Sequence, residues 1–438
     1  MPNLLSGART MVSHIADRLQ AGLSVELWNG EVLPLGPGAR DDIRIVIASP
    51  DAVGRLMRSP RLMTLVELCI SGAIDIKGGS PLEALGRWDH MRALALRRTV
   101  DRKLMLKAAW PFLFARETGD GKLSFGKRVL PRFGRGRDDG AMIEFHYDVS
   151  NAFYELFLDP EMQYSAGYFA DLDTSLADAQ TAKLDRICRK LQLGPADHLL
   201  DIGCGWGGLA CHAAQFFGCT VHGVTLSKEQ HDAARERARS RGLEKLVTIE
   251  LRDFRTIATP GAYSKIVQVG MFEHVGIDNH DSYFGHVHQL LKGGGLYLHQ
   301  ASTRRAPHDL KTYRKRTPYM KVLNRYIFPG GELDYLGLTI TNMERNAFEV
   351  RDVETMREHY YLSLKSWSEA LYRRREEAIE EVGPERVRLW LLYFALSCVG
   401  FWRGAIYDFQ TVAQKRQTGL SGLPLARADS AVDAAPIA

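Results

Sequence analysis

A parallel α/β sheet wrapped by helices, preceded by a smaller mixed domain, is the fold class this sequence predicts, on three observations. Strand-length apolar runs alternate with helix-length amphipathic segments from about residue 177 to residue 299. A Gly-x-Gly-x-x-Gly spacing joins the first of those strands to a helix. At 438 residues the chain exceeds what one hydrophobic core usually organises, which calls for a second unit.

Residues 1–118 are assigned to that smaller unit, an accessory domain with a helix near 10–21, a strand at 43–47 and a helix from about 81 to 97. Ser80 as N-cap with Pro81 at the first helical position marks the start of the last one. Nothing in this unit looks catalytic. Residues 119–140 carry six Gly and the cations Lys122, Lys127, Arg128, Arg132, Arg135 and Arg137, the composition of a linker. The main domain is placed at 141–418. Its candidate strands are 198–202, 220–226, 247–251, 265–269 and 295–299, and its helices 177–191, 209–217, 228–241 and 283–291. Residues 419–438, mainly Ala, Asp, Ser, Pro and Leu without period, read as a disordered tail. In such a sheet ligands bind outside the carboxyl ends of the strands, so residues ending strands are the first suspects.

Composition narrows the function classes. Hydrophobic residues make up 45% of the chain and charged residues 25%, as in a folded soluble protein. Six cysteines without paired spacing disfavour both a zinc site and a disulfide scaffold, so no metal is expected and a reducing cytosol fits. The first 20 residues carry Arg9, Asp17 and Arg18 and lack the core of a secretion signal. The longest uncharged apolar stretch, 389–402, is 14 residues, short of the roughly 18 needed to span a bilayer.

The segment Leu199-Leu-Asp-Ile-Gly203-Cys-Gly205-Trp-Gly-Gly208 leaves a strand for a helix with glycines where a backbone must approach a nucleotide closely. A dinucleotide site would place an acid about 20 residues on, yet the second strand ends Gly223-Val-Thr225-Leu-Ser227 with no acid until Glu229. Asp201, two positions before the first glycine, instead favours a ligand bearing an ammonium group. S-adenosylmethionine is such a ligand.

These blocks, with Met271-Phe-Glu-His-Val-Gly276, His146-Tyr-Asp148, Met162-Gln-Tyr-Ser165 and Tyr326-Ile-Phe-Pro-Gly330, resemble the cyclopropane-fatty-acyl-phospholipid synthases, a family that includes mycolic acid cyclopropane synthases. The resemblance implies a seven-stranded class I methyltransferase (Rossmann-like) fold that binds S-adenosylmethionine. Matched motif by motif, it implies that Tyr164 and Ser165 hold the methionine end, that Gly203 and Gly205 line it, that Thr225, Leu226 and Gln230 take the ribose and adenine side, and that Phe254 flanks the adenine. It also implies a bicarbonate ion as base, held by Glu273, His299 and Tyr360 with main-chain groups near Ala166 and Ala301. His274 joins Glu273, His299 and Tyr360 as a catalytic candidate, since Glu273 and His274 follow the fourth strand and His299 ends the fifth. The family usually shows Cys at 166 and Ile at 301, so the two alanines bear on the product.

The implied reaction moves a one-carbon unit to the cis double bond of an unsaturated phospholipid acyl chain. An alkene is a weak nucleophile, so the methyl must be held in line with it. The positive charge left on the chain needs aromatic or carboxylate neighbours and the exclusion of water. A base then removes a proton, from the new methyl to close a cyclopropane, or from a neighbouring carbon to leave a methyl-branched or methylene chain. Ring closure is the first reading and ring-free methylation the alternative.

Residues 304–325 carry eight cations against the single acid Asp309, with Tyr313, Tyr319, Met320 and Leu323 interleaved. The expectation is a docking surface for anionic membranes, with those side chains entering the headgroup layer. The protein is accordingly placed in the cytoplasm, peripheral on the inner face of the membrane, with a homodimer compatible and the accessory domain available for lipid. Two other classes compete. A catalytically silent lipid-binding protein is disfavoured by the intact Glu273, His299 and Tyr360. A nucleic-acid methyltransferase is disfavoured because Phe272-Glu273-His274 stands where base-methylating enzymes carry a base-gripping loop.

Overall fold

The structure, a computed structural model, describes residues 2–114, 149–309 and 313–425. The glycine-rich stretch 119–140, the motif at 146–148 and tail residues 426–438 lie outside the described residues. The N-terminal unit opens with the helix Pro2–Leu19 and holds a four-stranded sheet of β1 (Ser24–Glu26), β2 (Val32–Pro34), β3 (Arg44–Ile47) and β4 (Ile74–Lys77), in the order β2-β1-β3-β4. The single helix expected over 81–97 is two. Pro81–Leu85, closed at its start by a capping box between Ser80 and Glu83, stops at Gly86. A second helix, His90–Thr99, starts where the Asp89 carboxylate accepts the N–H groups of Met91 and Arg92. A glycine followed by a strong N-cap interrupts what apolar period alone would have continued.

The main sheet has seven strands: β5 (His198–Ile202), β6 (Thr220–Thr225), β7 (Val247–Leu251), β8 (Tyr263–Val269), β9 (Leu291–Arg304), β10 (Phe348–Thr355) and β11 (Ile406–Lys415). Their order is β10-β11-β9-β8-β5-β6-β7. The five strands β5 to β9 run parallel. The five strands read from the sequence form the parallel part of the expected seven-stranded fold, and two further strands complete it at one edge, where β11 pairs antiparallel with both β9 and β10. Those two strands hide from a hydropathy reading: β10 is a half-wet edge strand, and β11 buries Asp408, Gln410 and Gln414 among its apolar residues. The chain winds outward from β5 through β6 to β7, then returns to β8 on the other side of β5. That reversal opens a crevice beyond the carboxyl ends of β5 and β8.

Over the crevice lie the helices Asn151–Glu155, Pro318–Tyr326, Arg357–Arg373 and Pro384–Trp402, joined by a core that includes Phe153, Tyr154, Phe157, Trp206, Trp367, Trp390 and Phe394. The N-terminal unit packs against this cover: Tyr326 donates its hydroxyl to Glu67 at 2.8 Å, and Arg388 meets Asp75 at 3.1 Å. The first residues of the expected tail are pinned to the sheet edge, with Gln414 donating to the Ser421 carbonyl and Arg351 to its hydroxyl. Among the described residues no helix is long and apolar enough to cross a membrane.

Trp367 is fully buried, its ring 5.2 Å from that of Tyr164 and 5.9 Å from that of Phe394. Trp367→Ala is expected to cost ~3–5 kcal/mol, as cavity-forming aromatic deletions do. Urea unfolding measures it, and a loss below about 1 kcal/mol would show that this core is not continuous.

Candidate active site

The turn after β5 is built from glycines because its backbone is left-handed: φ is +78° at Gly203, +55° at Gly205 and +78° at Gly207. The N–H groups of Gly203 and Cys204 both donate to the Val224 carbonyl, tying the turn to β6. Gly207 then caps the helix Gly208–Phe217. A Cβ added at Gly203 would stand 2.9 Å from Met271, whereas one added at Gly205 would meet nothing within 4 Å. The turn therefore forms one wall of an open space.

That space is a cavity of about 410 Å³ whose lining includes Tyr164, Ser165, Asp201, Gly203, Gly205, Thr225, Leu226, Gln230 and Phe254. The structure thus brings together all nine residues matched to the cofactor. Thr225 donates its hydroxyl to Gln230 Oε1 at 2.9 Å, and Ser227 caps the following helix by accepting the Gln230 N–H, so the far end of the cavity is rigid. The Phe254 ring is held edge-on to Tyr283 at 5.4 Å. Asp201 is 3% exposed and its Oδ2 has no hydrogen-bond partner; burial pushes its carboxyl up to about 7. A partnerless buried carboxylate oxygen beside a glycine cradle fits a nucleoside ligand that carries an ammonium group. Sequence reasoning missed other lining residues, Gln163, Met271, Asn279 and His286 among them. Gln163 and Met271 lie within the quoted motifs but were given no role there, and Asn279 and His286 fall where neither period nor motif singles them out.

A second, narrower cavity of about 100 Å³ is mostly apolar, walled by Tyr319, Met320, Leu323, Phe328, Tyr360, Leu364 and Phe401 with Glu273 and Ser302 at its polar side. Tyr164, Gly270 and His274 line both cavities. The Tyr164 ring is fixed there by neighbours on several elements, with Tyr154 at 5.6 Å, Trp367 at 5.2 Å and Trp390 at 6.1 Å.

Glu273 sits in a short helical turn after β8. Its Oε1 accepts the Ser302 N–H at 2.7 Å, its own carbonyl accepts the Glu332 N–H, and its buried Oε2 has no partner. Burial raises its pKa, and the Ser302 bond only partly opposes that. Buried Asp334 and Asp408 are each pushed up to about 7, first by burial and then by the charge of Glu273.

His299 is 2% exposed on β9, with the Phe272 ring 4.6 Å from its own. Its tautomer follows from its neighbours. The Gln268 amide accepts the Met271 N–H through Oε1 and donates through Nε2 to the Gln300 carbonyl, so Nε2 also faces His299 Nδ1 as a donor, at 2.9 Å. Nδ1 therefore accepts, and the proton resides on Nε2, which has no partner. Burial, with nearby His280, pushes the imidazole down to about 3, which keeps it neutral.

Tyr360 lies on the wall of the second cavity with its ring 4.6 Å from Phe401. Ala166 and Ala301 are buried at 0% and 2% exposure, and with His299 they lie behind the cavity walls. The basic run is less uniform than its sequence. Arg304 stacks on Tyr313 at 3.9 Å, while Arg314, Lys315 and Arg316 are exposed, Arg314 pairing with Asp278. The interleaved apolar residues turn inward: Tyr313 and Leu323 are buried, and Tyr319, Met320 and Leu323 line the second cavity. Their expected place in a headgroup layer is corrected, because the helix Pro318–Tyr326 buries that face against the cover.

Comparison with known proteins agrees with this layout. A family model described as mycolic acid cyclopropane synthetase matches residues 135–411. A probable fatty acid methyltransferase from Pseudomonas putida is 34% identical over 412 residues, covering 94% of this chain and 96% of that one. The cyclopropane-fatty-acyl-phospholipid synthase of Escherichia coli (strain K12) is 38% identical over 283 residues, 64% of this chain and 69% of that protein. Among solved structures, the mycolic acid cyclopropane synthase CmaA1 complexed with SAH and CTAB is 31% identical, with a TM-score of 0.59, covering 63% of this chain and 98% of that one.

Gly205→Val places a branched side chain in the open space of the first cavity. Cofactor binding is expected to disappear in calorimetry while the folded state persists, since a left-handed non-glycine residue costs only ~1–2 kcal/mol. Unchanged affinity would contradict the assignment of this turn.

Proposed function

The chain belongs to the mycolic acid cyclopropane synthetase family, and from that premise we propose that it transfers a one-carbon unit from S-adenosylmethionine to the cis double bond of an unsaturated phospholipid acyl chain, closing a cyclopropane. As a member of this family it is an S-adenosylmethionine-dependent lipid methyltransferase; the phospholipid, the ring and the residue roles are our reading. One observation carries that reading: a glycine-walled cavity that presents Ser165, Asp201 and Gln230 and a second, narrower cavity lined mostly by apolar side chains meet at Tyr164, Gly270 and His274. A nucleoside cofactor on one side and an acyl chain on the other would bring methyl and alkene face to face.

When bound, S-adenosylmethionine supplies an electrophilic methyl on a sulfonium, and bicarbonate supplies a base. The protein's own part is positioning and electrostatics. Tyr164 and Ser165, Asp201, the glycines 203 and 205, Thr225, Leu226, Gln230 and Phe254 would hold the cofactor. The aromatic wall of Tyr164, Tyr360, Tyr393 and Phe401 excludes water and offers ring faces to positive charge developing on the acyl chain. Glu273 Oε2 and the Nε2–H of neutral His299 are an unused acceptor and an unused donor on adjoining elements, which suits a small oxyanion carrying one proton. Tyr360 and main-chain groups near Ala166 and Ala301 would complete that site.

A ring-free product is the second reading, favoured by a relative that matches nearly the full chain, a probable fatty acid methyltransferase. Mass spectrometry of lipids from cells expressing the protein tests both. A mass gain of one methylene with loss of the double bond supports ring closure, retained unsaturation supports the second reading, and unchanged lipids contradict both.

Glu273→Gln and His299→Ala are each expected to lower turnover about 10²- to 10⁴-fold with cofactor affinity nearly intact, the range for loss of general-base function. Parent-like turnover by either variant, with bicarbonate present or depleted, removes that residue from the mechanism.

We further propose that the exposed Arg314, Lys315 and Arg316, which lead directly into the helix bearing Tyr319 and Met320, dock the mouth of the apolar cavity on anionic membrane. Trp402, 61% exposed beside the cavity residue Phe401, is placed to join them. Replacing the three cations by Gln should remove on the order of 3 kcal/mol of surface attraction at low salt. The difference should shrink as the Debye length falls toward about 8 Å. Equal co-sedimentation of parent and variant with anionic vesicles at low salt would remove this segment from docking.

A further inference from the structure

The amphipathic helix Leu176–Lys190 hides a lysine that neither cavity displays. Lys183 is 1% exposed, and its ammonium donates to Gln163 Oε1 at 2.6 Å and to Ser165 Oγ at 3.0 Å. Both acceptors line the cofactor cavity. Burial pulls the lysine down to about 7, while the carboxylates of Asp159, Asp201 and Asp408 favour its charged form.

An ammonium has three donors and no acceptor. A hydroxyl that receives one of those donors must send its own proton elsewhere. The Ser165 carbonyl is occupied by Gln180 Nε2 at 2.8 Å, and Ser165 Oγ by Lys183. Ser165 lines the cavity, so its own proton is available to a ligand there. Gln163 is oriented by the same cation: its Oε1 turns to Lys183 and its Nε2 donates to the Glu161 carbonyl at 3.1 Å. At another place on the same cavity wall, Asp201 presents a carboxylate oxygen without a partner. The wall thus offers a cation-backed donor at one point and a bare acceptor at another. An α-amino-acid end, with its carboxylate and its ammonium, matches that pair.

We infer that Lys183 is a positioning residue that fixes Ser165 as a donor toward the carboxylate of the cofactor's amino-acid end, while Asp201 takes its ammonium, so that the cavity reads that end as a zwitterion. The inference rests on S-adenosylmethionine being the cofactor. Its consequence is selectivity: loss of Lys183 weakens ligands that carry the amino-acid end and spares those that lack it.

The test titrates the purified full chain by calorimetry with S-adenosylhomocysteine, which has the amino-acid end, and with 5′-methylthioadenosine, which does not. Lys183→Met is expected to lose affinity for the first by roughly tenfold or more, the scale of a hydrogen bond involving a charged group, and to keep its affinity for the second within about twofold. Ser165→Ala, which keeps the lysine and removes the relayed donor, gives the same selective loss. In the double variant the losses do not add, because both act on one donor. Equal weakening of both ligands, or no change in either, overturns the inference, and Ser165→Ala decides it if Lys183→Met does not fold. A parent chain that binds neither compound overturns the cofactor reading and this inference with it.

Discussion

The site depends on the aromatic packing that holds Tyr164 upright between two adjoining cavities. Its ring is wedged among Tyr154, Trp367 and Trp390, and its hydroxyl lies 3.4 Å from that of Tyr393. The same cluster reaches the glycine turn through Trp206, whose ring is 4.9 Å from that of Tyr154 and whose indole N–H donates to Asn151. The cover helices, the turn after β5 and the partition are therefore one packed body. Loosening any part would let the two cavities merge or let water in, and a cation on an acyl chain survives only where water is absent.

Around that body the polar groups are arranged with little slack. Gln268 sets the tautomer of His299, Ser302 bridges Glu273 and Asp408, and Gln300 links Asp408 to Gln410. Buried networks of this kind are stabilising only when nearly complete. Three of the buried atoms without partners, Asp201 Oδ2, Glu273 Oε2 and His299 Nε2, belong to residues that the sequence reading singles out, and in the proposed reaction each would face a ligand.

How much of this could be read from the chain varies with the kind of signal. The strands β5 and β7 were legible to the residue because apolar runs and glycine punctuation agree there. The antiparallel edge was not, since Asp408, Gln410 and Gln414 disguise β11 as a polar segment and β10 is wet on one side. The glycines and Asp201 carry a local pattern, and the family resemblance supplied the other positions matched to the cofactor; the structure gathers all nine in one cavity. Lys183 was illegible: a lysine on an amphipathic helix reads as surface, and only the fold shows it buried at 1% exposure. Likewise the tyrosines and Met320 of the basic run read as membrane-facing, whereas packing buries Tyr313 and turns Tyr319 and Met320 toward the second cavity.

The central claim is that two cavities meeting at Tyr164 let a methyl pass from a nucleoside cofactor to a lipid chain. Incubating the purified protein with S-adenosylmethionine deuterated in its methyl group and vesicles of a cis-unsaturated phosphatidylglycerol tests it most directly. The account predicts deuterium in the acyl chain, at the carbons of the original double bond, with two deuterons retained where a ring has closed. Deuterium confined to the headgroup or to the protein, or none transferred although both ligands bind, would contradict it.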